Sequence, residues 1–338
     1  METKDLDYDS FTPKTLVVGV GGQGSNLINR LSSYGMKSAD TLALNTDLAH
    51  LNMIRAGKKI LIGKALTNGL GAGGFPEVGA KCADASRNEI ADAISGYDLI
   101  FVAAGMGGGT GTGAAPVVAQ IAKEQGATVI SAVTYPFALE RSRKLKAEWG
   151  IEELSKHADT ILVIENDKLL SYVPNLPMDK ALETVDNVTG NAVKSIADAI
   201  TLPSMINIDY ADLRSIVERS GTALINIGYG NGVDRIEKVI KSTKEHPLLT
   251  ADTEGAKGAL VHVIGGENLT ISEATKIGEG ITEGMAGNAN VIFGARMIPE
   301  FRDQIRVMSM ITGVKAKFGQ KRNEYASAMN MESFERIF

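Results

Sequence analysis

Much that would decide a protein's class outright is missing from this sequence. Its 338 residues hold one cysteine, Cys82, so no internal disulfide can form and a reducing, cytoplasmic setting fits. Cys82 lies in a helical run, EVGAKCADASRNEIADAI, and reads as a small core residue. No stretch approaches the ~18 apolar residues of a membrane span, and the opening METKDLDYDSFTPK is acidic without an apolar signal region. No direct membrane insertion is expected. Basic residues are not in excess: 35 Lys and Arg against 40 Asp and Glu give a formal net charge of −5. That argues against a nucleic-acid partner, because a phosphate-reading surface leaves a basic balance. His50, His157, His246 and His262 show no ligand spacing and read as structural. The single tryptophan, Trp149, reads as core or interface. Nowhere does G-x-x-x-x-G-K-[ST] occur, so a P-loop is excluded.

Glycine, by contrast, is plentiful. There are 37, where ordinary usage of about 7% gives roughly 24, and the surplus sits in loops. Hydrophobic residues make up 44% and charged residues 22% of the chain, the profile of a folded protein. Short apolar runs alternate with helical patterns: KTLVVGV (14–20), TLALNT (41–46), KKILIG (58–63), YDLIFVAAG (97–105), ATVISAVTYP (127–136) and DTILVIEN (159–166). This alternation predicts an α/β, Rossmann-like domain with a parallel sheet and helices on both faces. A long helix follows over 177–201. GTALINIGYG, GALVHVIGG, NVIFGARMI and QIRVMSMITG then predict the strands of a smaller C-terminal α/β domain. The expected organisation is an extension (1–13), a nucleotide-binding domain (14–176), a central helix and loop (177–220), the second domain (221–315) and a loosely held tail (316–338). In the tail, Met331, Phe334 and Phe338 have the spacing of a short docking helix, and a frayed end is the alternative.

Three glycine loops follow strands. GVGGQGSN (19–26) matches G-x-G-x-x-G through Gly19, Gly21 and Gly24, with Asp47 placed to meet a ribose. Close strand–helix packing is the other reading. GMGGGTGTGAAP (105–116) leaves backbone N–H groups free to converge. A helix expected near Ala114 adds positive potential there, and Thr110 and Thr112 can add hydroxyl donors. TNGLGAGGFPEVG (67–79) also precedes a helix. Three such loops point to a ligand with several phosphates, met by backbone N–H groups, helix termini and a bound cation. Farther on, NIDYADL places Asp209 and Asp212 three residues apart at a probable helix start. Taken alone, they read as an N-cap and a first-turn acid.

GGGTGTG resembles the signature of the tubulin/FtsZ family. GVGGQGSN, NTD (45–47), LTNGLGAGGFPEVG, PFALE, IEND and NIDYADL follow in that family's order, and GAKGALVHVIGG and NVIFGA also resemble it. The resemblance covers residues 14 to 315 and looks most like archaeal FtsZ of the second type. It implies a GTPase that forms head-to-tail homopolymers in cell division at mid-cell, with GTP/GDP and Mg²⁺ as ligands. By position, Gly21, Gly22, Gln23 and Asn26 would hold phosphates and nucleoside, and Ala72, Gly73 and Gly74 would line the γ-phosphate. Gly105, Gly107, Gly108, Gly109, Thr110, Gly111, Thr112 and Gly113 would wrap the phosphates. Asn45, Asp47, Thr134 and Pro136 complete the pocket, Glu140 and Arg143 contact the ribose end, and Asn166 with Asp186 or Asn187 reads guanine. Asp209 and Asp212 would polarise the attacking water in the neighbouring subunit's site, with Asn207 orienting their loop. Membrane-anchor or division proteins would engage the tail.

The sequence departs from the pattern at Ser25, at Gly74-Phe75, at Leu182 where relatives place an aromatic, and by one residue after Glu140. Two other readings stay open: a GTP-dependent scaffold with little turnover, and a dinucleotide oxidoreductase built on Gly19–Gly24 and Asp47.

Overall fold

The computed structural model describes residues 12–168, 177–218, 220–245, 251–316 and 318. The N-terminal acidic segment, His246 and the helix expected at Met331–Phe338 lie outside them, as does the side chain of Leu182.

Each apolar run becomes a strand: β1 (Thr15–Val20), β2 (Asp40–Asn45), β3 (Lys58–Leu61), β4 (Leu99–Gly105), β5 (Thr128–Tyr135) and β6 (Thr160–Glu165). All six are parallel and lie side by side in the order 3-2-1-4-5-6. That is the doubly wound order, in which winding reverses between β1 and β4 and opens a crevice beyond the carboxyl ends of the strands. Alternate residues serve opposite faces. Val18, Ile100 and Val102 pack towards α4 (Pro76–Ala85), α5 (Arg87–Ile94), α6 (Thr110–Glu124) and α7 (Arg141–Ser155). Val17, Leu99 and Phe101 pack towards α1 (Gly21–Ser33) and the helices that follow β6. Because both faces are sealed, β1 and β5 are buried along their whole length. α2 (Leu48–Met53) and the four-residue α3 (Lys64–Thr67) flank β3.

The sheet continues past β6. β7 (Gly221–Asn231) pairs in parallel with it from Thr160↔Gly221 to Leu162↔Ala223. β11 (Gln304–Thr312), β9 (Gly258–Gly265) and β10 (Asn290–Met297) complete ten strands, with β11 alone antiparallel to its neighbours. The strands expected for the C-terminal unit therefore extend the same sheet. A separate ribbon pairs β8 (Ala251–Asp252) with β12 (Lys315–Ala316).

α8 (Met178–Thr201) has 24 residues, about 36 Å at ~1.5 Å per residue. Its apolar stripe of Val185, Ala192, Val193 and Ile196 lies against the sheet and α1. It starts beside the carboxyl ends of the strands and finishes towards their amino ends, where α9 (Tyr210–Val217) begins. α10 (Arg235–Glu245) and α11 (Ile271–Thr282) cover the far strands.

Candidate functional site

The three glycine loops meet at the crevice, and the glycines there divide by what surrounds them. Some are needed for packing. A Cβ on Gly113 would lie 1.8 Å from the Pro76 carbonyl, one on Gly111 2.7 Å from the Gly105 carbonyl, and one on Gly105 2.1 Å from Gln23 Oε1. Gly21, at φ +74°, abuts the backbone of Gly111, so the loops after β1 and β4 rest on each other. Others face open space: Gly22, Gly108, Gly71 and Gly74 would meet nothing within 4 Å. The open set marks where a ligand can approach the backbone.

One expectation changes here. α6 starts at Thr110, not near Ala114. Glycine disfavours helix, but α6 packs so closely on α4 that only glycine fits at Gly113. Thr112, in that first turn, is 0% exposed and its Oγ1 accepts the Gly107 N–H at 2.9 Å. That bond shapes the loop and leaves the Thr112 hydroxyl proton unused. Thr110 is half-buried and shares a 2.7 Å hydroxyl contact with Thr46.

Asn45 and Asp47 also have local tasks. Asp47 caps α2 by accepting from the His50 N–H, and Asn45 Oδ1 accepts from the Asp47 N–H. His50, which has no motif to announce it, bridges the buried Asn45 and the exposed Asn26. Its Nδ1 lies 3.1 Å from Asn45 Nδ2 and its Nε2 3.0 Å from Asn26 Oδ1. With the Asn45 amide as donor, Nδ1 accepts and Nε2 carries the proton. Asn26 is thus held by its carbonyl, leaving its amide N–H groups to face outward.

At the other end of the crevice sit the acceptors. Asn166 is 5% exposed, and its Oδ1 is buried with no hydrogen-bond partner. Asp186 is 8% exposed and lines a narrow cleft with Gln23, Gly24, Ala103 and Thr134. Burial pushes its carboxyl up from 3.8 to about 6, against the pull of Arg30, whose Nε lies 3.8 Å away. Guanine presents N1–H and N2–H₂ donors that such acceptors match. Asn187 Oδ1 is taken by the Tyr34 hydroxyl at 2.6 Å. Glu140 holds Arg143 at 2.6 Å and accepts the Phe137 N–H. The Arg143 backbone supports Gly107 (φ +100°), and Thr134 and Pro136 are buried behind.

The turn Ala72–Phe75 closes the crevice on the side of the third glycine loop and rests on Gly109. Gly71, Gly73 and Gly74 all have positive φ. Among the described residues, no group of three or more His, Cys, Asp or Glu side chains could hold a metal ion.

The acids lie elsewhere. Asp209 and Asp212 form a reciprocal capping box at the start of α9: the Asp212 N–H reaches Asp209 Oδ1 at 2.7 Å, and the Asp209 N–H reaches Asp212 Oδ2 at 3.4 Å. Asn207 steadies the preceding loop by accepting the Ser204 N–H. Between the acids, Tyr210 anchors the helix, its hydroxyl meeting the Asp98 carbonyl at 2.8 Å and Thr128 Oγ1 at 2.7 Å. Thr128 opens β5 and Asp98 just precedes β4, so α9 is fixed at the amino edge of the sheet. The glycine loops occupy the carboxyl edge. The eight residues of β5 separate the edges by about 23 Å at ~3.3 Å per residue. The acids cannot reach the loops of their own chain.

Two family models match this chain: the GTPase domain of the tubulin/FtsZ family over residues 14–174, and the C-terminal domain of the FtsZ family over residues 221–315. The chain is 51% identical over 317 residues to the cell division protein FtsZ 2 of Methanocaldococcus jannaschii, covering 93% of this chain and 83% of that protein. It is 49% identical to FtsZ 2 of Haloferax volcanii, covering 93% and 78%. Among solved structures, the M. jannaschii FtsZ dimer superposes with a TM-score of 0.87 at 41% identity, covering 92% of this chain and 94% of that one.

Proposed function

The chain belongs to the tubulin/FtsZ family, and from that premise we propose how its two edges act together as a filament-forming GTPase of cell division. The open glycines Gly22, Gly71, Gly74 and Gly108 receive the phosphates of GTP, and Asn26 with its outward amide lies beside them. Asn166 and Asp186 read the base. Glu140 and Arg143 lie at the ribose end. Asp209 and Asp212 of one subunit face the loops of the next, where a carboxylate orients the attacking water and takes its proton. Mg²⁺ would enter with the triphosphate and neutralise charge developing on the phosphoryl oxygens, since no acidic cluster among the described residues forms a resident metal site.

The observation that carries this reading is the separation of acids and loops onto opposite edges of one sheet. A site divided in this way is complete only between two copies stacked head to tail. Phosphate release per subunit is therefore expected to fall on dilution, as junctions are lost. A rate per subunit that stays constant through dilution would refute the proposal. A scaffold with little turnover has no observation in its favour, and nothing supports hydride transfer. We place the protein at the mid-cell division site, with anchoring or division proteins docking on residues 316–338. Even spreading of a fluorescent fusion through dividing cells would count against that placement.

A further inference from the structure

One cation at this site has no part in the assignments above. Lys146, on α7, donates its ammonium to the Gly74 carbonyl at 2.6 Å and lies 5.6 Å from the centre of the Phe75 ring. It forms no ion pair with Asp or Glu among the described residues. The carbonyl it grips belongs to a tight turn closed by the Phe75 N–H on the Ala72 carbonyl at 3.0 Å. Both central residues, Gly73 at φ +59° and Gly74 at φ +80°, are left-handed, the pattern of a type I′ turn. Successive backbone N–H groups in such a turn form a concave anion site. The turn is bound on one side by Gly109. Among the described residues, Lys146 supplies the one side-chain hydrogen bond to Gly73 or Gly74.

The composition of α7 points the same way. Arg141, Arg143, Lys144 and Lys146 crowd its first two turns, and its first turn has no acid. Cations there oppose the helix dipole, so local helix stability does not account for them. Arg143 and Lys146 lie one turn apart; one supports Gly107 and the other holds Gly74. α7 is thus a brace across two of the three loops.

We propose that Lys146 is the positioning residue that holds the Ala72–Phe75 turn in its anion-accepting form, and so lets the site distinguish a nucleoside triphosphate from a diphosphate. Fixing the Gly74 carbonyl on the ammonium keeps its lone pairs away from an arriving phosphate. The N–H groups of Gly73 and Gly74 are left to meet the terminal one. This rests on the reading of the loops as a GTP site.

The test measures binding of GDP and of a non-hydrolysable GTP analogue to the full chain, below the concentration for assembly. Lys146→Met is expected to weaken the analogue about tenfold and leave GDP within about twofold. Lys146→Arg should retain most of the preference. Lys146→Gln replaces the Met variant if that one melts below the assay temperature. Gly74→Ala disturbs the same turn, so combining it with Lys146→Met should lose little more than either change alone. Equal weakening of both nucleotides, no weakening, or losses that multiply in the double variant would each overturn the role given to Lys146. A wild-type chain that bound neither nucleotide would overturn the GTP site itself along with it.

Discussion

Asp186 shows how much a single buried carboxylate can report. Its carboxyl is raised by burial to about 6 from 3.8. Between those values the folded chain keeps a proton that the unfolded chain has released, so this group's contribution to stability declines as pH rises through the window. Guanine's N–H donors favour the ionised form and draw the value down. Nucleotide binding near pH 6 is therefore expected to expel a proton, and affinity should rise with pH through about 6 before levelling. Calorimetry in two buffers of different ionisation enthalpy gives the proton count; a count of zero would remove Asp186 from base recognition. Little of this was legible in the sequence. Asp186 alone reads as a solvated face of a helix, and family resemblance pointed only to Asp186 or its neighbour Asn187. His50 reads as structural and carries no spacing signal, because its contact with Asn45 is only a local turn contact and Asn26, 24 residues away on α1, meets it only in the folded chain.

Secondary-structure elements were easier to read, for a physical reason. The buried strands are continuous apolar runs because both faces of the sheet are covered, so β1, β4, β5 and β6 stand out by composition. The start of α6 did not, since Gly111 and Gly113 look like helix breakers until the ends of β4 and β1 are seen against Gly111 and α4 against Gly113. That contact makes a prediction. Gly113→Ala should destabilise the protein by about 3 kcal/mol through overpacking, whereas Gly108→Ala, at an open position, should leave stability within about 0.5 kcal/mol and weaken nucleotide binding. Denaturant melts beside nucleotide titrations separate the two, and equal melts would contradict the packing assignment. In α9, capping and the proposed catalysis fall on the same residues. Asparagine caps as well as aspartate, so Asp209→Asn should keep the melting temperature while turnover falls about a hundredfold. Asp209→Ala should lose the turnover and about 1 kcal/mol of stability as well. Normal hydrolysis by the Asn variant would leave Asp209 a cap and nothing more.

For the molecule as a whole, the ten-stranded sheet with unlike edges is decisive. Complementation between inactive chains follows from it. Asp209→Asn chains keep their loops, and Asp186→Ala chains keep their acids. Each alone should hydrolyse slowly, but a one-to-one mixture restores about one quarter of the junctions of a head-to-tail array. Phosphate release from the mixture should exceed the sum of its parts, and strict additivity would argue for a site contained within one chain. In the proposed assembly, the two-edged design also limits how many sites can exist. A row of n subunits has n sets of loops and n sets of acids, but they meet at only n−1 places. A lone chain has none, a pair has one for two chains, and a long row approaches one for each. Turnover per chain is then a measure of length, and a filament that shortens slows its own consumption of fuel.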